Sequence, residues 1–264
     1  MSLRNEFEAF LDEIWSDVPE ITENKIDIIG RGYDFMFQVN GKPPLKFVAG
    51  VYDLITGDEQ SAVFSHRYES MYPRIIDSGA WVCSALEDKK TVLDLGCNTA
   101  HNLIWWAEKF PKSKFTGIEI SEKSLFVANQ WKNKRSINNL VLVKGDILDK
   151  NEALDDFKFD IIINSYSLET IPDLEESNWQ IPEWIIESSA TNAKIIACLT
   201  VPEWQRLELI INTWRGQGFA LRFLDLFPNS AGSAHPHLIM EKNAEDIDID
   251  IVGLMETRVD ELFN

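Results

Sequence analysis

The chain has 264 residues, 45% of them apolar and 26% charged, and a formal net charge of −18. That length suits one large α/β domain with an added cap and is short for two full domains. A field of this sign repels a nucleic-acid backbone unless a local basic patch outweighs it. The densest basic stretch, Lys132, Lys134 and Arg135, reads as the polar end of a helix, so nucleic acid is not the expected partner. No apolar run reaches the roughly 18 residues of a membrane-spanning helix, and no membrane partner is expected. Met1 to Asp17 shows no basic region followed by an apolar block, so no secretory signal is expected. Cys83, Cys97 and Cys198 are odd in number and far apart, which points to a reduced, cytoplasmic setting.

In chain order, Leu3, Phe7, Phe10, Leu11 and Ile14 have helical spacing and predict an amphipathic helix over 3–15. Residues 26–39 and 45–56 read as strands, broken by Gly30–Gly32 and by Gly41-Lys42-Pro43-Pro44. Residues 67–86 read as a helix leading into the main domain. From 91 onward strand-like runs (Thr91–Leu95, Lys114–Ile120, Leu140–Lys144, Asp160–Asn164, Ala193–Thr200) alternate with helix-like ones (Asn102–Phe110, Ser121–Lys134, Ile181–Ser189, Glu203–Gly216). This is the order of a parallel sheet with helices on both faces. Phe219–Phe227 and His237–Lys242 leave no room for a crossover helix between them and predict an antiparallel hairpin. The fold class is therefore α/β: a doubly wound, mostly parallel seven-stranded sheet with an antiparallel C-terminal hairpin, plus an N-terminal α+β cap. The expected divisions are 1–88 for the cap, 89–243 for the main domain and 244–264 for an acidic extension, either a strand or a tail.

The run Val92-Leu93-Asp94-Leu95-Gly96-Cys97-Asn98-Thr99-Ala100 passes from a buried strand straight into a helix. Gly96 permits a sharp turn and a close ligand approach. The helix start offers free N–H groups to a carboxylate, and Asp94 offers an acceptor to an ammonium, so an amino acid moiety fits. A nicotinamide dinucleotide does not, since its G-x-G-x-x-G pattern requires glycine at Asn98 and His101. Glu119 ends the second strand 23 positions after Gly96, close to the spacing of about 20 at which a carboxylate grips a ribose diol. Its other reading is a surface acid with Ser121 as the following helix cap. Val143-Lys144-Gly145-Asp146-Ile147 ends the third strand, and a turn-forming Gly-Asp pair would explain it alone. Phe159 to Glu169 is a buried strand followed by small polar residues.

Taken in order, these four segments resemble the cofactor-binding motifs of class I S-adenosylmethionine-dependent methyltransferases. Asn98 and Ala100 stand where the family's second and third glycines usually are. The resemblance implies S-adenosyl-L-methionine as cofactor and S-adenosyl-L-homocysteine as product. It assigns Glu119 to the ribose hydroxyls, Ile120 to the adenine ring, Asp146 to the adenine amino group, and Ile147 to the cofactor site. Asn164 and Ser165 would line the cofactor, with Tyr166 and Glu169 facing the substrate. The segment before the main domain often closes over the cofactor in similar enzymes, and its candidates are Tyr68, Tyr72 and Arg74.

On the substrate side, methyl transfer requires in-line positioning, and a general base only for some acceptors. His235 and His237 flank Pro236 at the start of the last strand, which begins at the edge where the parallel strands end. His235 is the candidate catalytic histidine; no metal is expected, because no supporting ligand spacing accompanies the pair. His101 reads as a packing or helix-surface residue. The expected function is methyl transfer to a small-molecule substrate. The alternatives are a protein or peptide methyltransferase and a non-catalytic protein that keeps the fold. The sequence leaves the oligomeric state open.

Overall fold

The computed structural model describes residues 2–38, 45–67, 71–171, 174, 179–201, 203–228 and 234–263, with only the backbone described for 32–38 and 45–48. The chain divides into two compact units, Met1–Ile147 and Leu148–Asn264. Its seven strands form a sheet in the order β3-β2-β1-β4-β5-β7-β6, with the labels given below.

The first unit opens with five helices: α1 (Leu3–Trp15), α2 (Glu23–Gln38), α3 (Leu45–Ile55), α4 (Glu59–Arg67) and α5 (Met71–Ala85). Ser2 caps α1 by accepting from Asn5 N, and Phe7, Phe10, Leu11 and Ile14 are buried, as their spacing requires. The strands expected at 26–39 and 45–56 are instead the helices α2 and α3. Ile29 of α2 packs with Val51 and Ile55 of α3, an i, i+4 pair on one helical face. Ile26 and Ile28 are exposed, so the isoleucine-rich run is not the buried strand that its β-branched character suggested. Among the described residues the regular elements before β1 are therefore all helices. The Gly41–Pro44 break lies outside them.

There follow β1 (Thr91–Leu95), α6 (His101–Lys109), β2 (Lys114–Glu119), α7 (Glu122–Lys134) and β3 (Leu140–Lys144). The three strands are parallel, with Leu95 opposite Ile118 and Glu119 opposite Lys144. α6 buries Trp105 and Trp106, and Phe7 stacks on Trp105 with ring centroids 4.4 Å apart. Those aromatics are core, tying α1 to the sheet's helices.

The second unit contains β4 (Phe159–Ser165), α8 (Glu183–Ser188), β5 (Ser189–Cys198), α9 (Trp204–Gly216), β6 (Phe219–Pro228), β7 (Ala234–Lys242) and α10 (Ile251–Phe263). β4 and β5 are parallel, and β7 runs antiparallel to both β5 and β6. The C-terminal hairpin is thus as expected. The acidic segment after it is neither strand nor tail. Asp246 accepts from Leu221 N at 2.6 Å and pairs with Arg215 at 2.8 Å, and the chain then enters α10. No helix among the described residues is long and apolar enough to cross a membrane.

Candidate functional site

In the first unit, the loop after β1 places three alternate residues in the left-handed region: Gly96 (φ 70°), Asn98 (φ 50°) and Ala100 (φ 54°). Asn98 and Ala100 thus adopt the backbone that glycine would adopt there. For an ordinary L-residue that costs roughly 1–2 kcal/mol, and Asn tolerates it best. Neighbouring bonds hold the loop in place. Gly96 N and Cys97 N both donate to Ile118 O, at 2.9 and 3.0 Å. The loop also sits tightly on β2, because a Cβ on Gly117 would lie 2.6 Å from Cys97 Sγ.

Glu119 completes the loop's support. Its Oε2 accepts from Asn98 N at 2.9 Å and its Oε1 from Ser121 N at 2.8 Å. The residue is only 6% exposed, so it is neither an ordinary surface acid nor a side chain hanging in an open cleft. Burial pushes its carboxyl upward, against the opposing pull of the Ser121, Asn98 and Ile120 amides. Replacing Glu119 by Ala is therefore expected to act twice. If Glu119 binds the ribose, the replacement removes a charge-assisted ligand bond, and it leaves the Asn98 and Ser121 amides without their acceptor. Binding of S-adenosylhomocysteine should weaken by about 1.5–3 kcal/mol, and unfolding stability should fall by about 1–3 kcal/mol. Calorimetry with a denaturant titration separates the two losses; an unchanged dissociation constant in the folded variant would refute the assignment.

Asp94 is also buried. Burial, with Glu119 adding to it, pushes its carboxyl up to about 8. The charged group acting on this acid is a second acid. Asn98 Oδ1 is buried and has no hydrogen-bond partner among the described residues. The loop therefore carries a surplus of acceptors, which is the complement of a ligand ammonium group. Ile120, Asp146 and Ile147 are part-exposed at the ends of β2 and β3. Gly145 N donates to Glu119 O at 3.0 Å, which sets Asp146 beside the turn that follows β2.

Two histidines not assigned to a site from the sequence meet this loop. His66, in the last turn of α4, has Nε2 2.9 Å from Thr99 Oγ1, which lies 3.2 Å from Nδ1 of His101, the first residue of α6. Ser121 Oγ donates to Asp53 of α3 at 2.6 Å. These partners come from helices 33 and 68 residues away, and no local spacing announces them. Tyr68 lies outside the described residues. Arg74 and Tyr72 sit part-buried in the first turn of α5.

In the second unit, Asn164 and Glu169 are both buried. Asn164 is fully buried; its Oδ1 accepts from Ser167 N and Leu168 N, and its Nδ2 donates to Glu169 Oε2. Glu169 Oε1 accepts from Thr200 N at 2.9 Å. Both side chains brace the loop after β4. What the loop presents is Ser165 and Tyr166, both part-exposed. Tyr166 is left-handed (φ 62°) and its N donates to Cys198 O at 2.9 Å. Its ring stands edge-on to that of His235, with centroids 5.5 Å apart. His237, two positions on, is buried, stacks on Phe227, and is pushed down to about 3, chiefly by burial. Of the pair, His237 is buried and His235 is part-exposed. Among the described residues no three His, Cys, Asp or Glu side chains gather as a metal site.

A family model described as a methyltransferase domain matches residues 86–184. Residues 86–184 thus carry a methyltransferase domain. A stretch of 104 residues is 29% identical to the uncharacterized protein RP028 of Rickettsia prowazekii (strain Madrid E), covering 39% of this chain and 41% of that one. Among solved structures, TrmN from Thermus thermophilus has a TM-score of 0.52 and 16% identity, over 64% of this chain and 48% of its own. A methyltransferase from Pyrococcus furiosus gives 0.51 and 20%, over 62% and 81%. The [4+2]-cyclase SpnF gives 0.53 and 14%, over 67% and 83%. These structural likenesses are of fold, and the chain spans less than half the length of RP028 and of TrmN. The methyltransferase domain's cofactor is S-adenosylmethionine, with S-adenosylhomocysteine as product. The acceptor-rich loop fits its ammonium group through Asp94 and the unpartnered Asn98 Oδ1.

Proposed function

We propose that this chain transfers a methyl group from S-adenosylmethionine to a small-molecule acceptor. When bound, the cofactor supplies a methyl already activated by its sulfonium. Asp94 would hold the ammonium, and the N–H groups at the start of α6 would hold the carboxylate. Glu119 would hold the ribose, Ile120 would pack on the adenine, Asp146 would accept from its amino group, and Ile147 would belong to the same cofactor site. Ser165 would line the cofactor, and Arg74 would contribute from the N-terminal segment, as would Tyr68, which lies outside the described residues. Tyr166 and His235 orient the acceptor, with His235 taking its proton where one leaves. In this reading residues 1–88 cap the pocket, 89–243 carry the chemistry and 244–264 are an extension. The three cysteines, all buried and free, support a cytoplasmic setting.

The observation that carries a small acceptor over a nucleic acid is the fate of the basic stretch. Lys134 pairs with Asp17, and Arg135 with both Glu13 and Glu108. Two of its three charges are thus engaged by acids of the same chain, which carries −18 overall, leaving little to attract phosphate. The test supplies the enzyme with methyl-labelled S-adenosylmethionine and a cell extract split at about 1 kDa, a cut that separates metabolites from macromolecules. Label in the small fraction is expected. Label only in protein or RNA would replace the proposal.

A further inference from the structure

Two polar struts run from the N-terminal helices to the segments that grip the cofactor. One is His66–Thr99–His101, which enters the middle of the left-handed loop. The other is Asp53–Ser121, which enters the turn after Glu119, where Ser121 N also donates to Glu119. Thr56 and Ser124 extend the second, with hydroxyl oxygens 2.6 Å apart and Ser124 Oγ donating to Ser121 Oγ at 2.8 Å. The first strut is enclosed: Thr99, His66 and His101 are all buried, and the Trp15 ring lies parallel over His66 at 6.2 Å. Burial pushes His66 down to about 4, so the ring is neutral at physiological pH, with one nitrogen donating and the other accepting. A single hydroxyl between two imidazoles has one proton to give, so its position fixes both tautomers. An apolar contact at His66 would fill the space equally well and would not orient Thr99.

We propose that His66 and Asp53 are positioning residues for the cofactor, holding the left-handed loop through Thr99 and the Glu119 turn through Ser121. Helices α3 and α4 thereby belong to the binding site without touching the ligand. This rests on the reading of the loop as the S-adenosylmethionine site. Residues 97–100 must stay left-handed at Asn98 and Ala100 for the amides of the loop and α6 to face one way. Thr99, between the two, is where a side-chain bond most directly fixes that backbone.

The test measures S-adenosylhomocysteine affinity in the full chain and in His66→Phe, His66→Gln, Thr99→Val and Asp53→Ala. Gln places an amide nitrogen near the Nε2 position and can restore the bond to Thr99; Phe keeps the ring and cannot. His66→Phe and Thr99→Val should each weaken binding roughly three- to tenfold, the value of one hydrogen bond. The double variant should be no worse than either, and His66→Gln should stay within about threefold of the parent. Asp53→Ala should weaken binding by a similar factor. Equal losses for Phe and Gln, or additive losses in the double variant, would reduce His66 to packing and overturn the proposal. If the variants do not fold, amide hydrogen exchange of the parent decides. S-adenosylhomocysteine should slow exchange across 45–67, and no slowing there would overturn the proposal. A parent chain that does not bind S-adenosylhomocysteine at all would instead overturn the cofactor reading beneath it.

Discussion

Asp94→Ala is expected to weaken S-adenosylhomocysteine binding by about 2–5 kcal/mol, the cost of truncating one partner of a buried, hydrogen-bonded charge pair. The size follows from the surroundings. Asp94 is buried beside a second acid, so a bound ammonium is the charge that makes its ionisation favourable. The pH dependence has a definite sign. The folded-state carboxyl sits at about 8, well above the roughly 3.9 of an unfolded Asp. The folded free chain therefore binds this proton more tightly than the unfolded one, and its stability should fall as pH rises from about 4 to about 8. Asp94→Asn should lack that slope and be the more stable protein at pH 7, while binding the ligand more weakly. At pH 7 ligand binding should ionise Asp94 and release a proton. Calorimetry in two buffers of different ionisation enthalpy reads the release directly; identical apparent enthalpies would contradict it.

His235→Ala should lower turnover by about 10²–10⁴-fold if His235 is the general base, with S-adenosylhomocysteine affinity nearly unchanged. The expectation rests on place. His235 stands at the start of β7, its ring edge-on to Tyr166, which is held left-handed at the end of β4. Asp94 and Glu119 belong to other strands, and Asp146 follows β3. If His235 only orients the acceptor, the loss appears mainly in KM. A variant with wild-type kcat and KM would remove the residue from the site. His237 is the internal control for this reading. It is buried against Phe227, and its substitution should register in stability before it registers in rate.

The main sheet was legible because its strands are short apolar runs that alternate with helical ones, and β1 and β3 begin and end where their runs do. The hairpin was legible from the absence of room for a crossover. The cap was not. The Ile- and Phe-rich run after Glu23 has the composition of a strand, and only the packing of Ile29 on Val51 and Ile55 settles its period as helical. At the site, the loop's identity could be read from Asp94, Gly96 and Glu119. Its shape could not, because nothing local shows that Asn98 and Ala100 take up glycine's conformation. Small polar residues near a strand end also looked alike in the sequence. Asn164 and Glu169 turned inward to carry the loop, and Tyr166 was left to present its ring. The struts from His66 and Asp53 were invisible for a simpler reason: both partners are remote in sequence, and the bonds exist only once the helices have packed.

The most direct measurement is calorimetry of the purified chain with S-adenosylhomocysteine and, separately, with NAD. Left-handed residues recur at every second position from Gly96 to Ala100, and His101 begins a helix where a dinucleotide loop would need its third glycine. The acid surplus of Asp94 and Glu119 calls for an ammonium and a ribose diol together. The expected result is binding of S-adenosylhomocysteine, lost in Asp94→Ala, with no heat from NAD. Tight binding of NAD, with no response to S-adenosylhomocysteine, would contradict it.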